Sequence, residues 1–152
     1  MAYRPLEAAT WQIALRKERL NQLQKLSNAE LTQIVEEIRA CRTLPRMRYH
    51  FEKHGFFLGV STPEEYLALL HQHLSREDLR FFTHLRRREK DKMWYLVAID
   101  IGTIAQYNES RQSLWSFYRS GNVKKLLLIS RGWWIEVRQK PEGWQILEDW
   151  EL

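Results

Sequence analysis

His50 and His54 stand four residues apart in the segment RYHFEKHGFF, with Lys53 between them, in a chain of 152 residues that contains five histidines. On a helix this spacing puts both imidazoles on one face and sets Arg46 a turn earlier. Three kinds of chemistry use such a pair. A zinc site of the metalloprotease kind needs Glu directly after the first His, whereas Phe51 occupies that place and Glu52 comes one step further round. No third ligand is signalled nearby and a zinc site takes at least three from the protein, so no metal is expected. The second use is structural: histidines at a helix end, beside Gly55 as a left-handed cap, favour the negative pole of the helix. The third is phosphodiester cleavage, in which one imidazole takes the proton of a 2′-hydroxyl and the other protonates the 5′-oxygen leaving group, while cations stabilise charge on the phosphate oxygens. An ordinary pKa of about 6.5 lets base and acid forms of histidine coexist close to neutrality. Such chemistry needs no cofactor, and the sequence offers no glycine-rich phosphate loop.

The elements that must position these residues are legible from caps and periodicity. Residues 6–26 repeat apolar at Leu6, Ile13, Leu20, Leu23 and Leu26, which predicts an amphipathic helix. Ser27 followed by Glu30 forms a capping box for a second helix through Leu31, Ile34, Val35 and Ile38, and Pro45 ends it. Arg46 to His54 makes a short third helix. Thr62, Pro63 and Glu65 supply N-cap, first-turn proline and capping box for a fourth, from Pro63 to Leu74. After Leu79 the period changes from 3.6 to 2. FFTHLRRR, MWYLVAI, TIAQY, QSLWSFYR, VKKLLLI, WWIEVRQ and WQILEDW read as strands separated by turn residues. The short links favour an antiparallel meander, because parallel neighbours need a crossover of about a dozen residues or more. The expectation is therefore an α+β fold in a single domain over residues 1–152, mainly helical over 6–85, with four to six antiparallel strands over 80–150. Of seven tryptophans, most are expected as core anchors. Trp133 and Trp134 must point to opposite faces of a strand, which makes one of them a candidate for a cleft.

Composition narrows the class further. Lysine and arginine number 24 against 19 aspartates and glutamates, and the excess gathers in RTLPRMR, HLRRREKDK and GNVKK. Such clusters attract phosphate backbones, although a solvated basic face would look the same. The single Cys41 excludes an internal disulfide and a multi-cysteine zinc cage, which suits a reducing, cytoplasmic setting. No segment approaches the roughly 18 uninterrupted apolar residues of a membrane span, so no membrane partner is expected.

Two blocks of this sequence resemble a known group. HFEKHGFFLGVSTPEEYLALLHQHL is similar to the H-x-x-K-H-G segment, followed by a glycine and a helix opening with S/T-x-E-E-Y, of the barnase, EndoU, colicin and RelE-like ribonuclease assemblage of phage and polymorphic-toxin proteins. GTIAQYNESRQSLWSFYRSGNVKKLLLI resembles the same group's strand block, and together the blocks cover about residues 48–129. His50, Lys53 and His54 fall on the first motif, Gly55 and Gly59 on its glycines, and Tyr107, Asn108 and Gly121 on the second. Lys125 stands where members commonly carry threonine or serine, replacing a hydroxyl by a cation. The resemblance implies helices packed on a small antiparallel sheet, with an RNA-cleaving site where the histidine segment meets the strands.

On this reading His50 and His54 act as base and acid, with Lys53 and Lys125 in the catalytic set. Arg46, Arg86, Arg87, Arg88 and Arg119 bind phosphate. The partners expected are RNA and a cognate inhibitor or immunity protein, and no cofactor. The alternative is a module of phage or mobile-element origin that keeps the fold without turnover and grips RNA or a host protein.

Overall fold

The reciprocal cap drawn from the sequence forms: Glu30 N donates to Ser27 Oγ and Ser27 N donates to Glu30 Oε1, both at 3.2 Å. The computed structural model describes residues 10–88, 91–99, 102–120, 135–140 and 142–147, with 10–12, 84–88, 91–99, 139–140 and 147 as backbone. Helix α1 (Thr10–Gln24) leads into α2 (Asn28–Ala40), which the Ser27 box opens, then α3 (Met47–His54), a 3₁₀ turn (Phe56–Leu58) and α4 (Pro63–Leu74). Thr62 caps α4 through a bond from Glu65 N of 3.1 Å, and Pro63 takes the first turn, where its missing N–H costs nothing. Glu65 reaches back one residue further than a regular box and accepts from Ser61 N at 3.0 Å.

Among the described residues six strands follow: β1 (Arg80–Arg88), β2 (Asp91–Ile99), β3 (Thr103–Asn108), β4 (Ser113–Arg119), β5 (Ile135–Lys140) and β6 (Gly143–Leu147). All pairings are antiparallel, in the order β4-β3-β2-β1-β5-β6. The class is α+β, helices first and antiparallel strands second. The expected simple meander is corrected: β1 to β4 do run as neighbours, but β5 returns to the far side of β1, so Phe81 and Phe82 gain partners on both edges of their strand. The expected strand Val123 to Ile129, together with Leu6, Gly121, Lys125, Trp133, Trp134 and Trp150, lies outside the described residues.

The core forms where one face of the helices meets one face of the sheet. Leu23 of α1, Leu31, Val35 and Ile38 of α2, and Tyr66, Leu70 and Leu74 of α4 are buried with Phe81, Ala105, Tyr107, Leu114, Phe117, Ile135 and Val137 of the strands. Ile13, read as part of the same stripe, is instead 58% exposed. Trp144 is an anchor of the expected kind, and its Nε1 donates to Thr32 Oγ1 at 2.8 Å, fastening β6 to α2. On the opposite face, Glu136 is 1% exposed and accepts two bonds from Arg80 and two from Arg138, all between 2.8 and 3.0 Å. A buried carboxylate is tolerable only with this degree of pairing. Among the described strands β4 is the outermost on its side of the sheet, and two of its backbone groups are satisfied from outside the ladder. Leu114 N donates to Thr43 O at 2.8 Å, and Phe117 O accepts from the Tyr66 phenol at 2.5 Å.

Candidate active site

Helix α3 holds its place by packing, not by capping. Arg46, its N-cap residue, has the left-handed conformation (φ 58°) and makes no side-chain cap bond. Met47 and Phe51 rest against the core, with the Phe51 ring 6.1 Å from that of Tyr66. That contact fixes the rotation of the helix and turns the neighbouring flank, which carries His50 and His54, along strand β4. Gly55 is not the left-handed cap expected; its φ of −59° is helical. It is glycine because a Cβ there would meet Phe51 Cδ2 and Phe51 O at 2.7 Å, closer than carbon atoms approach. The left-handed residue is Gly59, φ 75°, which ends the 3₁₀ turn.

The two imidazoles stack nearly parallel, centroids 6.2 Å apart and planes 12° from coplanar. The row extends at both ends. Tyr49 meets His50 edge-on at 5.4 Å, and Tyr118 of β4 lies 5.5 Å from His54. Ser116 Oγ is 3.5 Å from His54 Nε2, at the outer limit of a hydrogen bond, and Gln106 Nε2 donates to the Tyr118 phenol at 3.4 Å. A bulge makes this approach possible. Gln106 pairs with Ser116 and Tyr107 with Leu114, which leaves Trp115 as the extra residue of β4. Ser116 and Tyr118 therefore share the face turned away from the helical core, while Leu114 and Phe117 face into it.

Burial is the first cause that lowers the His50 pKa, followed by the charges of His54, Arg46 and Lys53. Burial also lowers that of His54, with Lys53 adding to the effect. His50 Nδ1 is buried without a hydrogen-bond partner, so protonation would leave a charged ring with an unanswered polar atom. The two rings therefore differ in surroundings: His50 has an unanswered polar atom, whereas His54 Nε2 lies 3.5 Å from Ser116 Oγ. Arg46 and Lys53 stand over the Tyr49 ring at 4.4 and 5.7 Å, exposed to solvent.

Of the residues picked from sequence, His50, His54, Lys53 and Arg46 are brought together on α3. Arg119 follows Tyr118 and so projects from the other face of β4, exposed. The register aligns Phe82 of β1 with Val97, Gln106 and Ser116 across the sheet. Arg86 is therefore roughly 13 Å further along and three strand spacings of about 4.8 Å across from Ser116, with Arg87 and Arg88 beyond it. Lys125 is outside the described residues. Tyr107 is a core residue whose phenol is pushed up by burial, and Asn108 Oδ1 closes the β3–β4 turn by accepting from Ser110 Oγ at 2.9 Å and Arg111 N at 3.2 Å. Among the described residues no group of three His, Cys, Asp or Glu side chains converges as metal ligands. No helix among them is long and apolar enough to cross a membrane. Sequence reasoning missed Ser116, Tyr118, Gln106 and Tyr49; the only local signal was the period-2 relation that puts 116 and 118 on one side of a strand.

A cavity of about 200 Å³ lies between α1, α2 and the sheet, lined by Leu23, Leu31, Val35, Phe81 and Val137 with the Arg19–Glu109 ion pair at its side. No residue of α3 lines it, so it is separate from the histidine pair. Comparison with known proteins finds no family model, no curated protein and no solved structure that matches the chain.

Proposed function

We propose that the protein is a metal-independent endoribonuclease of the toxin type, with His50 as general base and His54 as general acid. The observation that carries this reading is the stacked pair itself: two half-buried imidazoles on one flank of α3, unequal in environment, beside Arg46 and Lys53. Base and acid must each come within about 2.6–3.2 Å of its own oxygen on opposite sides of one phosphorus. Rings 6.2 Å apart suit that span. Neutral His50 takes the proton of the 2′-hydroxyl, whose oxygen bonds to phosphorus. The bond from phosphorus to the 5′-oxygen breaks, and protonated His54 gives its proton to that oxygen. The products are a 2′,3′-cyclic phosphate and a free 5′-hydroxyl. Lys53 and Arg46 offset the charge that builds on the phosphate oxygens. Tyr118 and Ser116 hold the His54 ring, and Gln106 holds Tyr118. The similarity of residues 48–129 to the toxin ribonuclease assemblage supports the same reading.

The test is cleavage by purified protein in EDTA. RNA should be cut to 2′,3′-cyclic or 3′-phosphate ends, and DNA, which has no 2′-hydroxyl, should survive. His50→Ala and His54→Ala should each lower the rate by about two to four powers of ten with RNA affinity retained. No cleavage of any RNA between pH 5 and 9, or both alanine variants cutting as well as the parent, refutes the enzyme. RNA binding without cleavage leaves the binding module as the account of this site.

A further inference from the structure

Helix α3 and the turn after it carry a second stripe, whose aromatic members have no part in the proposed reaction. Tyr49, Lys53 and Phe56 follow at helical spacing, because Gly55 keeps the helical conformation into the 3₁₀ turn. Phe56 is 85% exposed, Phe57 64% and Tyr49 43%. The Phe56 and Phe57 rings meet edge to face at 5.5 Å, and the turn that presents them is closed by bonds from Leu58 N and Val60 N to Gly55 O, each 3.1 Å. Two phenylalanines held out to water on a glycine-bounded turn forgo the burial that such side chains ordinarily gain. The stripe lies next to the histidine flank, and Arg46 and Lys53 stand over its tyrosine.

We infer that Phe56 and Phe57 form a stacking platform for the unpaired bases of single-stranded RNA, and that Arg46 and Lys53, seated over the Tyr49 ring, hold the backbone that joins those bases. This rests on the proposed reading of the adjacent histidines. Exposed aromatic faces interleaved with cations are what sequence-tolerant single-strand binding requires, since every base has a face and every linkage a charge. A duplex offers no free base faces and is excluded by the same geometry. The substrate class of the neighbouring site follows: single-stranded RNA, loops and unpaired ends, rather than helices.

The experiment measures binding without cleavage. A fluorescein-labelled 2′-O-methyl oligoribonucleotide has no attacking hydroxyl, so its anisotropy titration with the full chain reports affinity alone. Wild-type protein should bind the single strand more tightly than the same sequence as a duplex. Phe56→Leu and Phe57→Leu keep apolar bulk but lose the π face, and each should weaken single-strand binding by about fivefold to a hundredfold. Phe56→Trp should retain it. All variants should keep the wild-type thermal midpoint, because both positions face water. Equal affinity for duplex and single strand, or leucine variants within twofold of wild type, overturns the platform. A protein partner would be gripped as well through leucine, and that result also overturns it. The two readings fail separately: tight, phenylalanine-dependent binding by a protein that cuts no RNA sinks the enzyme and keeps the platform, whereas cleavage unaffected by the leucine variants does the reverse.

Discussion

Removing one oxygen atom, in Tyr66→Phe, should cost more than its size suggests. The Tyr66 phenol donates to Phe117 O at 2.5 Å, and both residues are 0% exposed. Water cannot replace the lost donor, so the β4 carbonyl between Ser116 and Tyr118 is left unsatisfied. An orphaned buried acceptor costs about 1–3 kcal/mol. In a domain of 150 residues or more each kcal/mol moves the melting temperature by about 2–4 °C, so the midpoint should fall by about 2–12 °C. The pH dependence supplies an independent check. Burial raises the Tyr66 pKa well above the ordinary phenol range, and the bond to Phe117 O, which only the neutral phenol can donate, favours the same form. The unfolded phenol ionises near about pH 10, before the folded one. This contribution to stability is whole below that pH and drains away as pH rises toward the folded value. Urea denaturation of both proteins from pH 7 to 11 should show the gap between them narrowing above pH 10. A loss under about 0.5 kcal/mol at pH 7, below the range for an orphaned carbonyl, or two curves falling in parallel above pH 10, refutes the reasoning.

The remaining expectations concern the far face, the α3 turn and the histidine pair. Glu136→Ala removes the acceptor of four bonds from Arg80 and Arg138, whose side chains both reach solvent, and should cost about 1–3 kcal/mol by chemical denaturation. Gly55→Ala should destabilise by about 1–3 kcal/mol despite alanine's helical preference, because the new Cβ meets Phe51 O as well as its ring. Gly59→Ala has open space around it and should cost only the left-handed strain, about 1–2 kcal/mol, read from the same melts. For RNA cleavage, both His50 and His54 have pKa values below 6.5 for the reasons of burial and neighbouring charge. The base must be neutral and the acid charged, so kcat/KM should peak on the acid side of pH 6.5. Lys53→Met should move both limbs to higher pH whatever it does to the height of the profile.

The caps were legible because their chemistry is local. Ser27 with Glu30 and Thr62 with Pro63 each bring donor, acceptor and dihedral preference within four residues, and each opens a helix where the pattern places it. The break in the meander was not legible. That β5 pairs with β1 is a contact between residues more than fifty positions apart, and Phe81 and Phe82 carry no mark of it. Gly55 shows a third case. The sequence marks a necessary glycine there but not its cause, because it reveals that a Cβ is absent and not whether a left-handed turn or, as here, a crowded neighbour demands it. The site divides along the same line. His50, Lys53, His54 and Arg46 come together through helical spacing alone, whereas Ser116 meets His54 across 62 residues, and only the packing of Phe51 on Tyr66 brings that strand within reach.

The contents of the pair's surroundings bear on the structural alternative. A histidine that caps a helix C-terminus stabilises it as an imidazolium, attracted to the carbonyl pole, and such a contact holds the ring charged. His54 lies at that end of α3 and His50 a turn before it, yet burial and the nearby cations push both toward the neutral form. Arg46 and Lys53 oppose the charge that a cap would need. His50 Nδ1, buried and unpartnered, gives the free protein nothing in return. An arrangement that costs the fold and resists protonation is poor capping. It is reasonable chemistry for a site that must present one neutral base and one readily exchanged proton to an anion, because an arriving phosphate would answer the same cations that keep the rings neutral in its absence.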